Sequence, residues 1–260
     1  MILSFSDTHC HLDLLADHEA QIVKAKKNGV NTIIVPAVEP KSFEVIKKIA
    51  SDYSGIFYSV GIHPCRVNDI TDNDLLTMEN FLSKNIQDPK LVAIGEIGLD
   101  FFFKNLPKNK MERFYFHQLQ LAKKFSLPVL LHVRRSQDLV LKYYKKSGVT
   151  SGIAHAFNGS KIQAQNYFDN GLLLGFGGSM TFERALQIRR LATTVPDNSF
   201  VLETDSPDMV PSWKKVNEEN TPSEIPGIAR CLAKLRNNSV EQIAYLSSQN
   251  ARNAIPRLSL

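Results

Sequence analysis

The sequence predicts a single (β/α)8 barrel running over residues 1–260, and three observations carry that prediction. Eight short segments are almost wholly apolar, as parallel strands covered on their outer side must be. Each is followed by a helix or a helical loop, the alternation that builds α/β folds. A length of 260 residues is ordinary for one such barrel. An open doubly wound sheet is the alternative reading of the same rhythm.

The opening apolar run, Ile2-Leu3-Ser4-Phe5-Ser6, leads into Asp7-Thr8-His9-Cys10-His11. On a strand Asp7, His9 and His11 share one face and Cys10 takes the other. Glu19 to Asn28 reads as a helix that stops at Gly29, a residue free to take the left-handed cap. Thr32 to Val35 is a β-branched strand ended by Pro36; Ser42 to Ser51 is helical, and Ile56 to Gly61 is the third strand. A helix around Asp74 to Ser83 precedes strand Leu91 to Gly95, and Tyr115, Leu119 and Ala122 then recur at helical spacing. The alternation continues with strand Pro128 to Leu131, helix Asp138 to Lys146, strand Gly152 to Ala154 and helix Lys161 to Phe168. Strand Leu172 to Leu174, helix Phe182 to Thr193 and strand Ser199 to Leu202 complete the set. Ile228, Cys231, Leu232 and Leu235 line one face of a further helix, and Ser239 with Gln242 forms a capping box for the last.

Composition narrows the setting. Apolar residues make up 43%, and the net charge of +5 comes from 31 cations well mixed with 26 anions. That balance permits a polyanionic partner without requiring one. No apolar run approaches the length of a membrane span, and the N-terminus lacks the basic-then-apolar pattern of a signal peptide. The three cysteines, Cys10, Cys65 and Cys231, are odd in number and widely spaced, which fits a reducing cytoplasm and no thiolate zinc site. No obligate protein partner is evident.

The ionisable residues fall where the fold would use them. Of seven histidines, His9, His11, His63, His132 and His155 sit at or just beyond the C-terminal end of a predicted strand. Glu96 follows the fourth strand and Asp205 the eighth; His18 and His117 lie in helices. In a barrel all those strand ends converge on one rim, where the chemistry is placed. Taken singly, Asp205 could cap a helix, Glu96 could pair with a lysine, and His132 could be a buried hydrogen-bonded imidazole. Together, histidines and carboxylates without thiolates favour Zn²⁺, Mn²⁺ or Mg²⁺. Six donors exceed one tetrahedral catalytic site, so two ions bridged by Glu96 are the economical arrangement.

With those residues assembled, the chain resembles the TatD family of metal-dependent hydrolases over nearly its whole length. The resemblance rests on Asp7-Thr8-His9-Cys10-His11-Leu12-Asp13, Gly61-Ile62-His63-Pro64, Ala93 to Asp100 and Leu130-Leu131-His132-Val133-Arg134. His155-Ala156-Phe157-Asn158-Gly159-Ser160, Gly175-Phe176-Gly177-Gly178 and Leu202 to Met209 complete it, and Pro207-Asp208-Met209 points to a YjjV-like branch. The resemblance implies that His9, His11, Glu96, His132, His155 and Asp205 occupy the metal-site positions. It further implies a deoxyribonuclease of exonuclease type that cleaves DNA phosphodiesters, with ester or amide hydrolysis, including D-aminoacyl-tRNA deacylation, as the alternative. Cys65, where many relatives carry histidine, and Phe101-Phe102-Phe103, where many carry a tyrosine-rich loop, depart from the pattern near the substrate mouth.

The expected roles follow. His9, His11 and Asp205 hold one divalent ion, His132 and His155 the other, and Glu96 bridges them. Asp205 is also the expected general base, and Asp7 orients the imidazoles without binding metal. His63, Arg134, Phe157 and Gly178 are the expected substrate contacts, Arg134 as a phosphate clamp or as half of an ion pair. Gly175, Gly177 and Gly178 either bind phosphate through backbone N–H groups or permit close packing. Phe101 to Phe103 beside Lys104, and Trp213 beside Lys214 and Lys215, either stack bases or pack their loops down.

Overall fold

The eight strands pair in chain order, each parallel to the next: β1 (Phe5–Asp7), β2 (Val30–Pro36), β3 (Ile56–Val60), β4 (Leu91–Asp100), β5 (Val129–Arg134), β6 (Gly152–His155), β7 (Leu172–Phe176) and β8 (Phe200–Leu202). This is a computed structural model, and it describes residues 3–215 and 217–259; Ile2, at the head of the predicted opening run, lies outside them. Beyond their regular ends, β8 and β1 meet. Thr8 N–H donates to the Leu202 carbonyl at 3.1 Å, Asp205 N–H to that of His9 at 2.8 Å, and Cys10 and Ser206 form a parallel bridge. The barrel class predicted from sequence is the one observed.

Strand alternation sorts the side chains into two cores. Outward residues such as Phe5, Ile33, Tyr58, Leu131, Ala154, Leu174 and Leu202 pack beneath the helices. Inward residues Ile34, Val92, Leu130, Ile153, Leu173 and Val201 form a second cluster with Ala251 and Ile255. Helix α9 (Val240–Ala254) and the turn after it close the barrel from below. Asn250 Nδ2 donates to the Phe200 carbonyl at 2.9 Å and Arg257 to that of Leu91 at 2.8 Å, both at the starts of strands. Above that apolar plug, the next inward positions after Leu130, Ile153 and Val201 carry polar groups: His132, His155 and Glu203.

Helices α1 (His18–Lys27), α2 (Phe43–Asp52), α3 (Asp72–Asn85), α4 (Lys108–Phe125), α5 (Gln137–Ser147), α6 (Lys161–Phe168), α7 (Leu186–Thr194) and α8 (Ile225–Arg236) form the outer layer with α9. Gly29 ends α1 at φ +83° as expected. None of the described helices is long and apolar enough to cross a membrane.

Three expectations need correction. β4 does not stop at Gly95 but continues to Asp100, because Gly98 lets it pass the β5 backbone: a Cβ there would lie 2.0 Å from the His132 carbonyl oxygen. Helix α7 begins at Leu186, since Gly178 to Thr181 forms a separate 3₁₀ turn ahead of it. Ser239 accepts from Gln242 N–H at 3.1 Å, but its own N–H is taken by Asn238 Oδ1 at 2.8 Å, so only half of the capping box forms.

Candidate metal centre

One buried carboxylate organises the upper end of the barrel. Glu96 enters from β4, and its two oxygens face different sides. Oε2 lies 3.2 Å from His9 Nε2 and 3.6 Å from His11 Nε2. Oε1 lies 2.8 Å from His132 Nδ1, 3.4 Å from His155 Nε2 and 3.4 Å from His63 Nε2. Asp205 Oδ1 completes the first side at 3.6 Å from both His9 Nε2 and His11 Nε2. The rings of His9 and His155 stack at 4.0 Å, so His155 also joins His9 and Asp205 in a common group. All six expected metal-site residues therefore converge.

The far side of each imidazole tests whether the near side can bind metal. His11 Nδ1 lies 3.1 Å from the Pro36 carbonyl oxygen, His155 Nδ1 3.3 Å from Glu203 Oε1, and His132 Nε2 3.1 Å from Asp100 Oδ2. In the neutral ring, a proton held by the oxygen at one nitrogen leaves a lone pair on the other. In all three rings that free nitrogen points at Glu96 or Asp205. Donors about 2.1 Å from one ion stand about 3.0 to 3.4 Å apart at angles of 90° to 109°, close to the spacings here. The donor set fits a divalent cation.

His63 differs. Its Nδ1 accepts the Cys65 N–H at 3.1 Å, so the neutral ring carries its proton on Nε2. Although geometry groups it with Glu96 and His132, it presents a donor rather than a lone pair. It also lines the cavity above the cluster, which suits the substrate contact expected of it.

The electrostatics favour positive charge in this place. Burial alone would push the Glu96 carboxyl up, but His63, His9, His155 and the hydrogen bond from His132 hold it well below its ordinary value. Asp205 is likewise pulled down, with burial outweighed by His155, His11 and His9. Burial disfavours the imidazolium forms, yet Asp205 and Glu96 raise His11 to about 9, and Asp205, Glu203 and Glu96 raise His155 to about 10. His9 is lowered, chiefly by burial and by His155 beside it. A field that keeps protons on His11 and His155 would also hold a divalent cation, with those protons released on binding.

Two carboxylates that sequence reasoning left without a role support the cluster. Glu203 is buried and holds the Ala156 N–H at 2.6 Å as well as His155. Asp100 is buried and accepts the Phe102 N–H at 2.8 Å besides facing His132. Parity was the available signal: Glu203 shares the inward face with Val201, and Asp100 shares one with Glu96. Gly175 makes the first possible, because a Cβ there would meet Glu203 Oε2 at 2.0 Å. Gly175→Ala is therefore expected to destabilise the fold by about 1–3 kcal/mol through overpacking. By displacing the acceptor that sets the His155 ring, it should also weaken metal binding about 10–100-fold. Thermal unfolding and a zinc titration check both, and wild-type values in each would refute the coupling.

Asp7 stands outside the donor groups, as expected, but supports them through the backbone and not through the rings. It touches no imidazole: its carboxylate accepts the backbone N–H groups of His9 and Thr204 and the Thr204 hydroxyl, at 3.2, 3.0 and 2.6 Å. It thus ties the strand extension carrying His9 to the one carrying Asp205, while His9 Nδ1 has no partner. Burial, only partly offset by these hydrogen bonds, pushes its carboxyl up to about 8. Cys10 is wholly buried in the outer core, so the predicted register holds.

Two expected substrate contacts are corrected. Phe157 is wholly buried and packs on Tyr167 at 4.7 Å, because Ala156 takes a left-handed φ of 44° and turns the chain away. Gly178 is a packing position, where a Cβ would meet the Met209 carbonyl oxygen at 2.0 Å. Trp213 is also secured, donating Nε1–H to Glu224 at 2.8 Å and lying over Gly227, while Lys214 reaches the Glu219 carbonyl at 2.6 Å. Arg134 does line the cavity, a space of about 700 Å³ whose wall also includes Arg135, Phe102, Cys65, Asp208 and Met209.

Comparisons with known proteins agree with this geometry. The family described as TatD related DNase matches residues 6–256. The uncharacterized metal-dependent hydrolase YjjV of Escherichia coli K12 is 35% identical over 254 residues, covering 96% of this chain and 97% of its own length. The uncharacterized metal-dependent hydrolase YabD of Bacillus subtilis 168 is 30% identical over 251 residues, covering 95% and 96%. The crystal structure of the TatD homolog YjjV from E. coli K12 superposes with a TM-score of 0.94 at 33% identity, covering 98% of this chain and 99% of that one.

Proposed function

Since the chain belongs to the TatD related DNase family and is a metal-dependent hydrolase, we propose that its reaction is hydrolysis of DNA phosphodiester bonds at the Glu96 cluster. The observation that carries this reading is the cavity wall: Arg134 and Arg135 stand side by side at the end of β5, above the donor cluster. Adjacent guanidiniums favour an anionic substrate, and a phosphodiester offers oxygens that match their paired N–H groups.

In this reading His9, His11, Asp205 and Glu96 would hold one divalent ion, and His132, His155 and Glu96 a second. Such ions supply Lewis acidity toward a phosphoryl oxygen and lower the pKa of a water. The chain's own groups do the rest. Arg134 and Arg135 hold the phosphate, and His63, which lines the same cavity, is a further substrate contact. Asp205, whose carboxyl this site holds below its ordinary value, takes the proton of the attacking water. Glu203 and Asp100 keep His155 and His132 in the tautomers that the cluster needs.

The test is an assay of the chain, purified and loaded in turn with Zn²⁺, Mg²⁺ and Mn²⁺, on end-labelled single-stranded DNA and on a D-aminoacyl-tRNA. Shortening of the DNA that a chelator abolishes is the expected result. Deacylation without cleavage of DNA would assign the same centre to carbonyl chemistry instead.

A further inference from the structure

Two exposed phenylalanines beside the metal centre are held by arginines from a neighbouring strand. Phe102 and Phe103 are 41% and 43% exposed, and their rings meet edge to face at 5.3 Å. The Arg134 guanidinium lies 3.8 Å from the Phe102 ring centre and 5.5 Å from that of Phe103; Arg135 lies 4.8 Å from Phe102. Arg135 reaches it from a left-handed φ of 56°, a conformation costly for a side chain of that size.

The base of this group is firmly placed. Phe101 N–H donates to the Arg134 carbonyl at 2.9 Å, its ring packs against the core, and Phe102 N–H donates to Asp100. Asp100 Oδ2 is 3.8 Å from Arg134 and 3.1 Å from His132, so the aromatic group is two side chains from Glu96. Phe102, Arg134 and Arg135 line the same cavity as the donor cluster. An exposed apolar ring loses free energy in water unless something covers it, and here the ring beside the reaction site is flanked by cations suited to phosphate.

We propose that Phe102 and Phe103, backed by Arg134 and Arg135, form a stacking platform for an unpaired nucleobase next to the phosphate being cleaved. This rests on the nucleic-acid reading above and adds a specific demand to it: a base must be present and free of its pairing partner. A ring face stacks on any base, so the platform selects for an unpaired end rather than for a sequence. It also favours a nucleotide over a phosphoester that lacks a base.

Two measurements on the metal-loaded protein separate the platform from the nuclease reading. In the first, binding of deoxyadenosine 5′-monophosphate is compared with that of 2-deoxyribose 5-phosphate by calorimetry. Wild type is expected to favour the nucleotide by about 5- to 150-fold. Phe102→Ala should bring the ratio toward one, and Phe102→Tyr should keep it. In the second, cleavage is followed on single-stranded oligonucleotides whose terminal residue carries a base or is abasic, and the base-bearing end is expected to have the lower KM in wild type but not in Phe102→Ala. Equal binding of nucleotide and sugar phosphate by wild type, or an unchanged ratio in Phe102→Ala, would overturn the platform. Base discrimination in binding with no cleavage of either oligonucleotide would uphold the platform and overturn the nuclease reading alone.

Discussion

Glu96→Gln is expected to lower turnover by about 10³-fold or more and to reduce the bound metal, while leaving the barrel folded. Glutamine keeps the size of the side chain and one oxygen acceptor, so packing around β4 changes little. It loses the charge that faces nitrogens of His9, His11, His63, His132 and His155 between 2.8 and 3.6 Å away. It also brings an N–H₂ group, which has no lone pair to offer a cation. Metal content by mass spectrometry, circular dichroism and the rate on DNA decide the matter together. A Glu96→Gln protein that kept wild-type metal content and rate would remove Glu96 from the centre.

Asp205→Asn separates holding metal from moving a proton. Asp205 sits at φ +57°, a left-handed conformation that asparagine adopts as readily as aspartate, so the substitution leaves the backbone as it is. The amide cannot accept the proton of the attacking water. A fall in kcat of about 10²- to 10⁴-fold with KM little changed is expected. If the rate instead fell in step with lost metal and recovered fully in excess Zn²⁺, Asp205 would be a ligand without a proton-transfer role.

Much of the site was legible because barrel topology converts position in sequence into position in space. His9, His11, Glu96, His132, His155 and Asp205 could be gathered from strand ends before any contact was known. Asp100 and Glu203 were missed for a local reason. Gly95 and Gly98 resemble a strand terminus, whereas here they let β4 cross close to its neighbours and run on to Asp100. Phe157 misled in the opposite sense: it lies two residues from a metal-site histidine, but the left-handed turn at Ala156 sends it into the core. Trp213 could not be placed from sequence because its partners, Glu224 and Gly227, lie on the far side of a turn-rich segment.

The uninterrupted run of β4 from Glu96 to Asp100 also limits how the chain can change in length. These two carboxylates point into the barrel on the same face, four residues apart, while Ile97 and Leu99 between them point into the outer core. One residue inserted or removed between them would turn Asp100 into the apolar layer or Glu96 out of the cluster. An insertion beyond Phe102, later in the same loop, leaves both carboxylates on their face and the Phe102–Asp100 bond in place. The mouth of the barrel can thus vary in size and chemistry there without a change in the register that holds Glu96 and Asp100 inward.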